Sequence, residues 1–253
     1  MEVHRAADER SFEVRSRLQI GIQPIPDIVS VLEDLKLTVF VQPWRSDAPL
    51  GAFLPRGERN YVFLNGAQSL PRLRFSGAHE LGHYVFTDGP KLDGDEEFGA
   101  ANREIEERRA NSFAASFLMP RDGIRLAVED LRKVTAEGVV HLATQFGVSF
   151  EMATYRLHNT GFINAAKRQQ LMDERAAVLT PEFRRRVGPI WHLPSEYVEN
   201  AFDAYLANRV DFNHLAELLR TDKHDRAKLA SELHDNRQLH GDDALELGLA
   251  RRR

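Results

Sequence analysis

The sequence predicts an α+β fold, with a small, mostly antiparallel sheet first, a helix pair next and an all-helical C-terminal region last. Three short apolar segments bounded by Pro, Gly, Asp or Asn precede residue 66, a pattern typical of strands. From about residue 69 apolar residues recur at helical spacing instead. Beyond about residue 170 the chain stays helical in pattern and is rich in charge.

The first elements are short. Residues 1–20 read as a polar lead-in, and Pro24 and Pro26 introduce a short amphipathic helix that begins near Asp27. Three strands are then expected, at 38–41, 51–54 and 61–64.

The helices that follow are longer. One is predicted at about 70–87 and a second at about 101–119, where Met119-Pro120 ends it. Two shorter helices, at about 135–146 and 149–159, flank Gly147. Gly161 is expected as a C-cap, because glycine tolerates the left-handed conformation of that position.

Composition excludes several function classes. The 253 residues carry a net charge of −4 and no cysteine, which rules out disulfides, thiolate catalysis and cysteine-ligated metal sites. The slightly acidic balance argues against a dominant nucleic-acid surface. The N-terminus has no apolar signal region, and no apolar run is long enough to span a bilayer. The sequence is therefore expected to be cytoplasmic, with no membrane partner.

His79, Glu80 and His83 form the pattern His-Glu-x-x-His. Residues four apart share one helix face, so both imidazoles can reach a single Zn²⁺. Glu80 lies about 100° round the helix, beside the ion, where it can act as a general base. The alternative is a solvated helix face, but apolar neighbours such as Phe75 and Leu81 predict burial, and buried polar groups need partners.

A third ligand is expected from the second long helix, because catalytic zinc keeps three protein ligands. The apolar stripe through Ala110, Ala114 and Phe117 extends back through Asn111 and Glu107. Glu107 as ligand, with Asn111 hydrogen-bonded to the other ring nitrogen of a ligand histidine, explains two polar groups on an apolar face.

Other roles for this part of the helix stay open. Glu107 can instead cap a neighbouring helix or pair with Arg103, and Glu104 or Glu106 would then be the alternative third ligands. Mn²⁺ or Fe²⁺ can also occupy a site of two histidines and a carboxylate.

The segments RFSGAHELGHYVF and EERRANSFAASFLMP together closely resemble the ImmA/IrrE family of metallopeptidases. The resemblance extends over about 22–165, with Pro24–Ile28 and the Phe146-Gly-Val-Ser…Arg156-Leu157 segment matching further family features. It implies a gluzincin-like site, with His79, His83 and Glu107 as metal ligands and Glu80 as general base.

The resemblance also implies a function. Family members are bacterial or phage regulators of transcription and stress response, and several inactivate a helix-turn-helix repressor by cutting it. A zinc-dependent endopeptidase with a protein substrate of this kind is therefore expected. No residue stands out to stabilise the oxyanion; Tyr84, Tyr61 and His141 are the candidates considered.

A rival hypothesis comes from residues 142–157, which resemble a helix-turn-helix. The 130–165 region has no net charge and its second helix offers only Arg156 as a cation, whereas DNA binding needs several phosphate contacts. Packing or substrate docking is favoured over direct DNA binding. The alternative function is a non-proteolytic regulator with a structural metal that binds a protein or DNA, or a toxin-like member of a two-gene pair.

Three regions are predicted along the chain. A zincin-like metallopeptidase domain should cover 22–125, a helix-turn-helix-like region 126–165, and a helical C-terminal subdomain 166–253. In the last of these, Asp211 is expected to cap a helix.

Overall fold

The computed structural model describes residues 2–44, 49–87, 100–129, 134–179, 189–221 and 229. None of the helices in these ranges is long and apolar enough to cross a membrane. The described elements, in chain order, are α1 (Glu2–Arg17), α2 (Ile28–Asp34), β1 (Leu37–Gln42), β2 (Gly51–Arg56), β3 (Arg59–Asn65), α3 (Leu70–Val85), α4 (Ala100–Leu118), α5 (Arg121–Glu129), α6 (Ala136–Phe146), α7 (Phe150–Asn159), α8 (Ala165–Val178), α9 (Ser195–Leu206) and α10 (Phe212–Leu218).

The chain divides into two compact units, Met1–His192 and Leu193–Arg253. The first holds the sheet and α1–α8. The second holds α9 and α10, which share a small apolar core, and Asp211 accepts a hydrogen bond from His214 N at 2.8 Å, which confirms it as the N-cap of α10. The three predicted regions, with their divisions after residues 125 and 165, remain a prediction.

The α+β class is confirmed, and the sheet is mixed. Its strand order is β1-β3-β2, with β3 antiparallel to β2 and parallel to β1. A tight turn at Gly57 (φ +62°) joins β2 to β3 and makes that pair antiparallel. Since β1 lies on the other side of β3, no hairpin fixes its direction, and the expectation of a mostly antiparallel sheet holds for one of the two pairings.

The N-terminal segment is a helix, so the expectation of a polar lead-in is wrong. The side of α1 turned toward the protein consists of Ala7, Ser11 and Arg15, all buried, and the helix packs along α4. The Arg15 guanidinium donates to the carbonyl of Gly21 at 2.6 Å and to the carbonyl of Phe117 near the end of α4. Burial lowers the pKa of Arg15 to about 10, so this side chain keeps its charge at neutral pH.

The helix pair α6 and α7 is part of the core. Gly147 ends α6 in the left-handed conformation (φ +64°), as the glycine between the predicted helices requires. Arg156, the cation that a DNA-binding hypothesis would use, is 7% exposed. It donates to the carbonyl of Met119 at 3.0 Å and pairs with Asp8 at 3.0 Å. This arginine is therefore committed to packing α7 against α1 and α4.

Candidate metal centre

Helix α3 carries the His-Glu-x-x-His pattern. It begins after Ser69, with Pro71 in its first turn, and ends at Val85, close to the predicted 70–87. A proline fits the first turn of a helix, where its missing N–H is not needed. Glu80 and His83 are buried, which agrees with the apolar neighbours of the pattern.

Helix α4 packs closely against α3. The close approach occurs at Gly82, where an added Cβ would lie 3.0 Å from the Ala110 Cα. A larger residue at this position would push the two helices apart. Gly82 therefore sets the distance across which Glu107, less than one turn before Ala110, meets the two histidines of α3.

Three side chains converge between these helices. The Nε2 atoms of His79 and His83 are 3.0 Å apart. The two carboxylate oxygens of Glu107 lie 3.1 Å from His79 Nε2 and 3.5 Å from His83 Nε2. Within the described ranges, these residues form the group whose potential ligand atoms all lie within 4.8 Å of one another.

The group has dimensions that suit a small divalent cation. Ligand atoms at about 2.0–2.1 Å around a tetrahedral Zn²⁺ lie roughly 3.3 Å from one another, and the spacings of 3.0, 3.1 and 3.5 Å fall around that value. A proton or a metal ion held between these nitrogen and oxygen atoms offsets their mutual repulsion. The residues present therefore fit a metal.

Asn111 orients one of the histidines. Its Oδ1 is 3.0 Å from His79 Nδ1. If Nδ1 donates this hydrogen bond, the neutral imidazole keeps its lone pair on Nε2, the atom that faces His83 and Glu107. The structure thus places Asn111 in contact with His79, and its role toward a metal ligand remains a prediction.

The charge of the site acts on His79. Burial by itself lowers the pKa of this imidazole, but the hydrogen bond to Glu107 and the negative charges of Glu80 and Glu107 outweigh it, so the pKa is raised. A proton on His79 and a metal ion compete for the same lone pair. The same carboxylates that hold the proton would attract the cation.

Glu80 lies beside the group formed by His79, His83 and Glu107 and is not part of it. A cleft of about 430 Å³ opens over the three converging side chains, and Glu80 lines it together with Gly51 and Phe53 of β2. A Cβ on Gly51 would come within 2.8 Å of the Glu80 Oε1 atom. The strand therefore touches the carboxylate at a position where only glycine leaves room for it.

Other candidates from the sequence lie elsewhere. Glu104 and Glu106 are outside the converging group, and Tyr84, Tyr61 and His141 are not among the described residues that line the cleft. Tyr84 instead makes an edge-to-face contact with Phe53, with ring centroids 6.0 Å apart.

The amino-acid sequence by itself gives no indication that β2 and the residues just before it belong to the site. Pro49, Leu50, Gly51 and Phe53 line one side of the cleft, and Ser76 lines it from α3. A strand that flanks a site from a different part of the chain leaves no local signal, whereas Ser76 lies one turn before His79 and was within reach of a helical projection.

Fold and site together define a class: α+β domains with a candidate metal centre of two histidines and a glutamate between two helices. Residues 33–158 match the family model of the peptidase M78 family, described as the IrrE N-terminal-like domain, and the chain belongs to this family. Membership in a metallopeptidase family implies a metal. The ImmA/IrrE resemblance is thereby confirmed.

Two further comparisons concern solved structures and curated proteins. A Mycobacterium tuberculosis transcriptional regulator of known structure aligns with 17% sequence identity and a TM-score of 0.40, over 62% of this chain and 47% of that one. The chain thus spans about half the length of that regulator. No curated protein matches the chain at a significant level.

Proposed function

We propose that this chain is a metal-dependent endopeptidase of the ImmA/IrrE type that makes limited cuts in a regulatory protein. The proposed substrate class is a helix-turn-helix transcriptional repressor, and the proposed location is the cytoplasm. The observation that carries the proposal is the convergence of His79, His83 and Glu107 at 3.0–3.5 Å, beside a buried Glu80, in an open cleft.

His79, His83 and Glu107 are the residues that would hold the metal, with Zn²⁺ proposed and Mn²⁺ or Fe²⁺ as alternatives. When bound, the ion supplies Lewis-acid activation of water and of the peptide carbonyl. Asn111, with its Oδ1 3.0 Å from His79 Nδ1, would favour the tautomer of His79 that such binding needs. A metal ion held by these three residues would keep room for a water molecule, as catalytic zinc does.

Glu80 is proposed as the general base. Its carboxylate lines the cleft and acts electrostatically on His79. A carboxylate at this position can take a proton from the attacking water and pass it to the leaving amine. The absence of a side chain at Gly51 leaves room for this carboxylate at the edge of the cleft.

The sheet edge supports an extended peptide as substrate. In the described part of the chain β2 is an outer strand, paired to β3 on one side only, and its first residues line the cleft. An outer strand offers backbone N–H and C=O groups to an incoming strand. A peptide paired with β2 would pass over the two histidines and Glu80.

The test compares zinc-loaded wild type with Glu80→Gln and Glu104→Gln. Each is incubated with the helix-turn-helix regulator encoded nearest to this chain and, separately, with unfolded casein, and products are identified by intact mass. Wild type and Glu104→Gln, whose substitution lies outside the cluster, should release the same fragments. Glu80→Gln should keep its zinc and cut at least about 100-fold more slowly, since a general base contributes 10²–10⁴-fold.

The outcomes separate the two parts of the proposal. Cleavage of the regulator at the wild-type rate by Glu80→Gln would refute the assigned mechanism. Cleavage of casein but not of the regulator would overturn the substrate class and leave the peptidase. Zinc-loaded wild type that cuts neither protein would overturn the peptidase.

A further inference from the structure

A second cavity, of about 450 Å³, lies on another side of α4, between that helix, α1 and α7. Eight of its nine lining residues are polar. A ligand pocket of this volume is usually lined by apolar side chains with a few polar groups. The charged side chains among them, Asp8, Arg108 and Arg156, favour an ionic ligand.

The charges of the cavity favour an anion. The buried Arg156 pairs with Asp8 at 3.0 Å and offsets its charge, and Asp8 also accepts a hydrogen bond from Ser116. Arg108 also lines the cavity and forms no ion pair within the described ranges. Two arginines against one aspartate leave a net charge of +1 with His4 neutral.

The rim supplies hydrogen-bond donors in Arg108 and in the amides of Asn111 and Asn159, whereas the Ser112 hydroxyl already donates to the carbonyl of Arg108 at 2.8 Å. Ser112 Oγ lies 2.7 Å from His4 Nδ1, which joins α4 to α1 across the cavity. Arg108 stands one turn before Ser112 on α4, and Asn159 closes the cavity from the end of α7. A guanidinium presents paired donors that match the geometry of phosphate oxygens. Hydroxyl, imidazole and amide groups around it suit the hydroxyls of an attached organic group.

Asn111 connects this cavity to the candidate metal centre. It lines both cavities, and its Oδ1 is 3.0 Å from His79 Nδ1. With that oxygen engaged by the histidine, the amide NH₂ group provides the donors for a second partner. A ligand that accepts from Asn111 would hold the amide in the orientation that fixes the tautomer of His79.

We propose that this second cavity binds a small phosphate monoester through Arg108 and that the bound ligand orients His79 through Asn111. The proposed binding of the phosphate monoester requires no assumption about catalysis. The coupling half rests on the proposed function, because it takes His79 as a metal ligand. A ligand acting this way would be an effector of the metal centre from a distinct site.

The test uses the full, metal-free chain, so that phosphate cannot bind to zinc. Inorganic phosphate, ribose 5-phosphate and ribose are titrated by calorimetry into wild type, Arg108→Gln and Arg5→Gln. Arg5 serves as the matched control, since it is an exposed arginine of α1 that pairs with Glu9 and does not line the cavity. In parallel, nitrogen-15 NMR of the histidine side chains reports the environment of the His79 ring nitrogens.

Ribose 5-phosphate should bind wild type and Arg5→Gln alike, and Arg108→Gln about tenfold or more weakly, the loss typical of one hydrogen bond to a charged group. Inorganic phosphate as tight as ribose 5-phosphate would assign the site to the free ion. No binding to wild type, or equal binding by Arg108→Gln, would overturn the site.

The NMR signal decides the coupling separately. Saturating ribose 5-phosphate should shift the resonances of the His79 ring nitrogens in wild type and leave them unmoved in Asn111→Ala. Binding without that shift would overturn the coupling and leave the site. Neither result depends on peptide cleavage, so failure here is distinct from failure of the proposed peptidase.

Discussion

At the scale of single residues, the third ligand is the assignment that most needs testing. Glu107 is one of three glutamates within four positions of α4, and its carboxylate reaches both histidines, at 3.1 and 3.5 Å. Glu104 is exposed on the same helix. The two side chains thus form a natural pair of test and control.

Glu107→Gln should weaken zinc affinity by at least about 100-fold. Substituting residues that only hydrogen-bond to a metal ligand already lowers metal affinity about 10–100-fold, and a ligand itself should matter more. The amide keeps the size of the side chain and removes its charge. The affinity is measured by competition against a chelator of known zinc affinity. Glu104→Gln should bind zinc as wild type does, and equal affinity in Glu107→Gln would transfer the third-ligand role to another group such as Glu106.

Much of the candidate site is predictable because its residues follow the periodicity of an α-helix. His79 and His83 are four apart, and the stripe of α4 that includes Ala110 points Asn111 and Glu107 toward them. The contribution of Gly51 is different. Its position against Glu80 depends on how β2 lies over α3, and no spacing along the chain encodes that.

At the scale of elements, α1 is a helix that hydrophobic periodicity does not reveal. Hydrophobic periodicity finds a helix by its apolar stripe, but the buried stripe of α1 is Ala7, Ser11 and Arg15. Two of these are polar and one is small, so the pattern is invisible. The burial is made possible by backbone carbonyls that accept from Arg15, and such partners appear only once the chain has folded.

Buried arginines recur where helices end. Arg74 of α3 donates to the carbonyl of Phe146, in the last turn of α6, at 3.4 Å, and also to that of Pro26, ahead of α2, at 2.8 Å. Arg156 reaches the carbonyl of Met119, just after α4. Carbonyls at a helix C-terminus lack partners and attract cations. These arginines therefore fasten elements that are far apart in sequence.

The contact between α3 and α6 can be tested at Gly147. This residue has φ +64°, and an added Cβ would lie 2.8 Å from the Arg74 guanidinium carbon. Gly147→Ala should therefore cost the strain of a left-handed residue, about 1–2 kcal/mol, and further free energy for displacing Arg74. The loss is measured as the change in the free energy of unfolding in urea.

Gly161→Ala is the matched control. Gly161 has φ +83° but no heavy atom within 4 Å of an added Cβ, so the substitution carries strain alone. Gly147→Ala should be the more destabilising of the two. Equal losses would mean that the Arg74 contact contributes nothing to stability.

At the scale of the whole molecule, the metal would act as a cross-link. The candidate ligands come from α3 and α4, which are separated by a segment that includes residues 88–99. An ion held by both helices binds the folded chain and not the unfolded one, so its binding free energy adds to stability. Stability of the first unit and occupancy of the metal centre should therefore rise together.

Zinc should raise the melting temperature of the first unit. The size of the rise in each variant should depend on whether the substituted residue is a candidate metal ligand. Free zinc at 100 times its dissociation constant adds about 2.7 kcal/mol, which is roughly 5–10 °C for a unit of this size. Wild type and Glu80→Gln should show the full rise in scanning calorimetry, because Glu80 lies beside the cluster. Glu107→Gln should show little of this rise in melting temperature. A chelator should reverse the rise in wild type and in Glu80→Gln. A full rise in Glu107→Gln would mean that zinc stabilises the protein from another site, and the cross-link between α3 and α4 would be wrong.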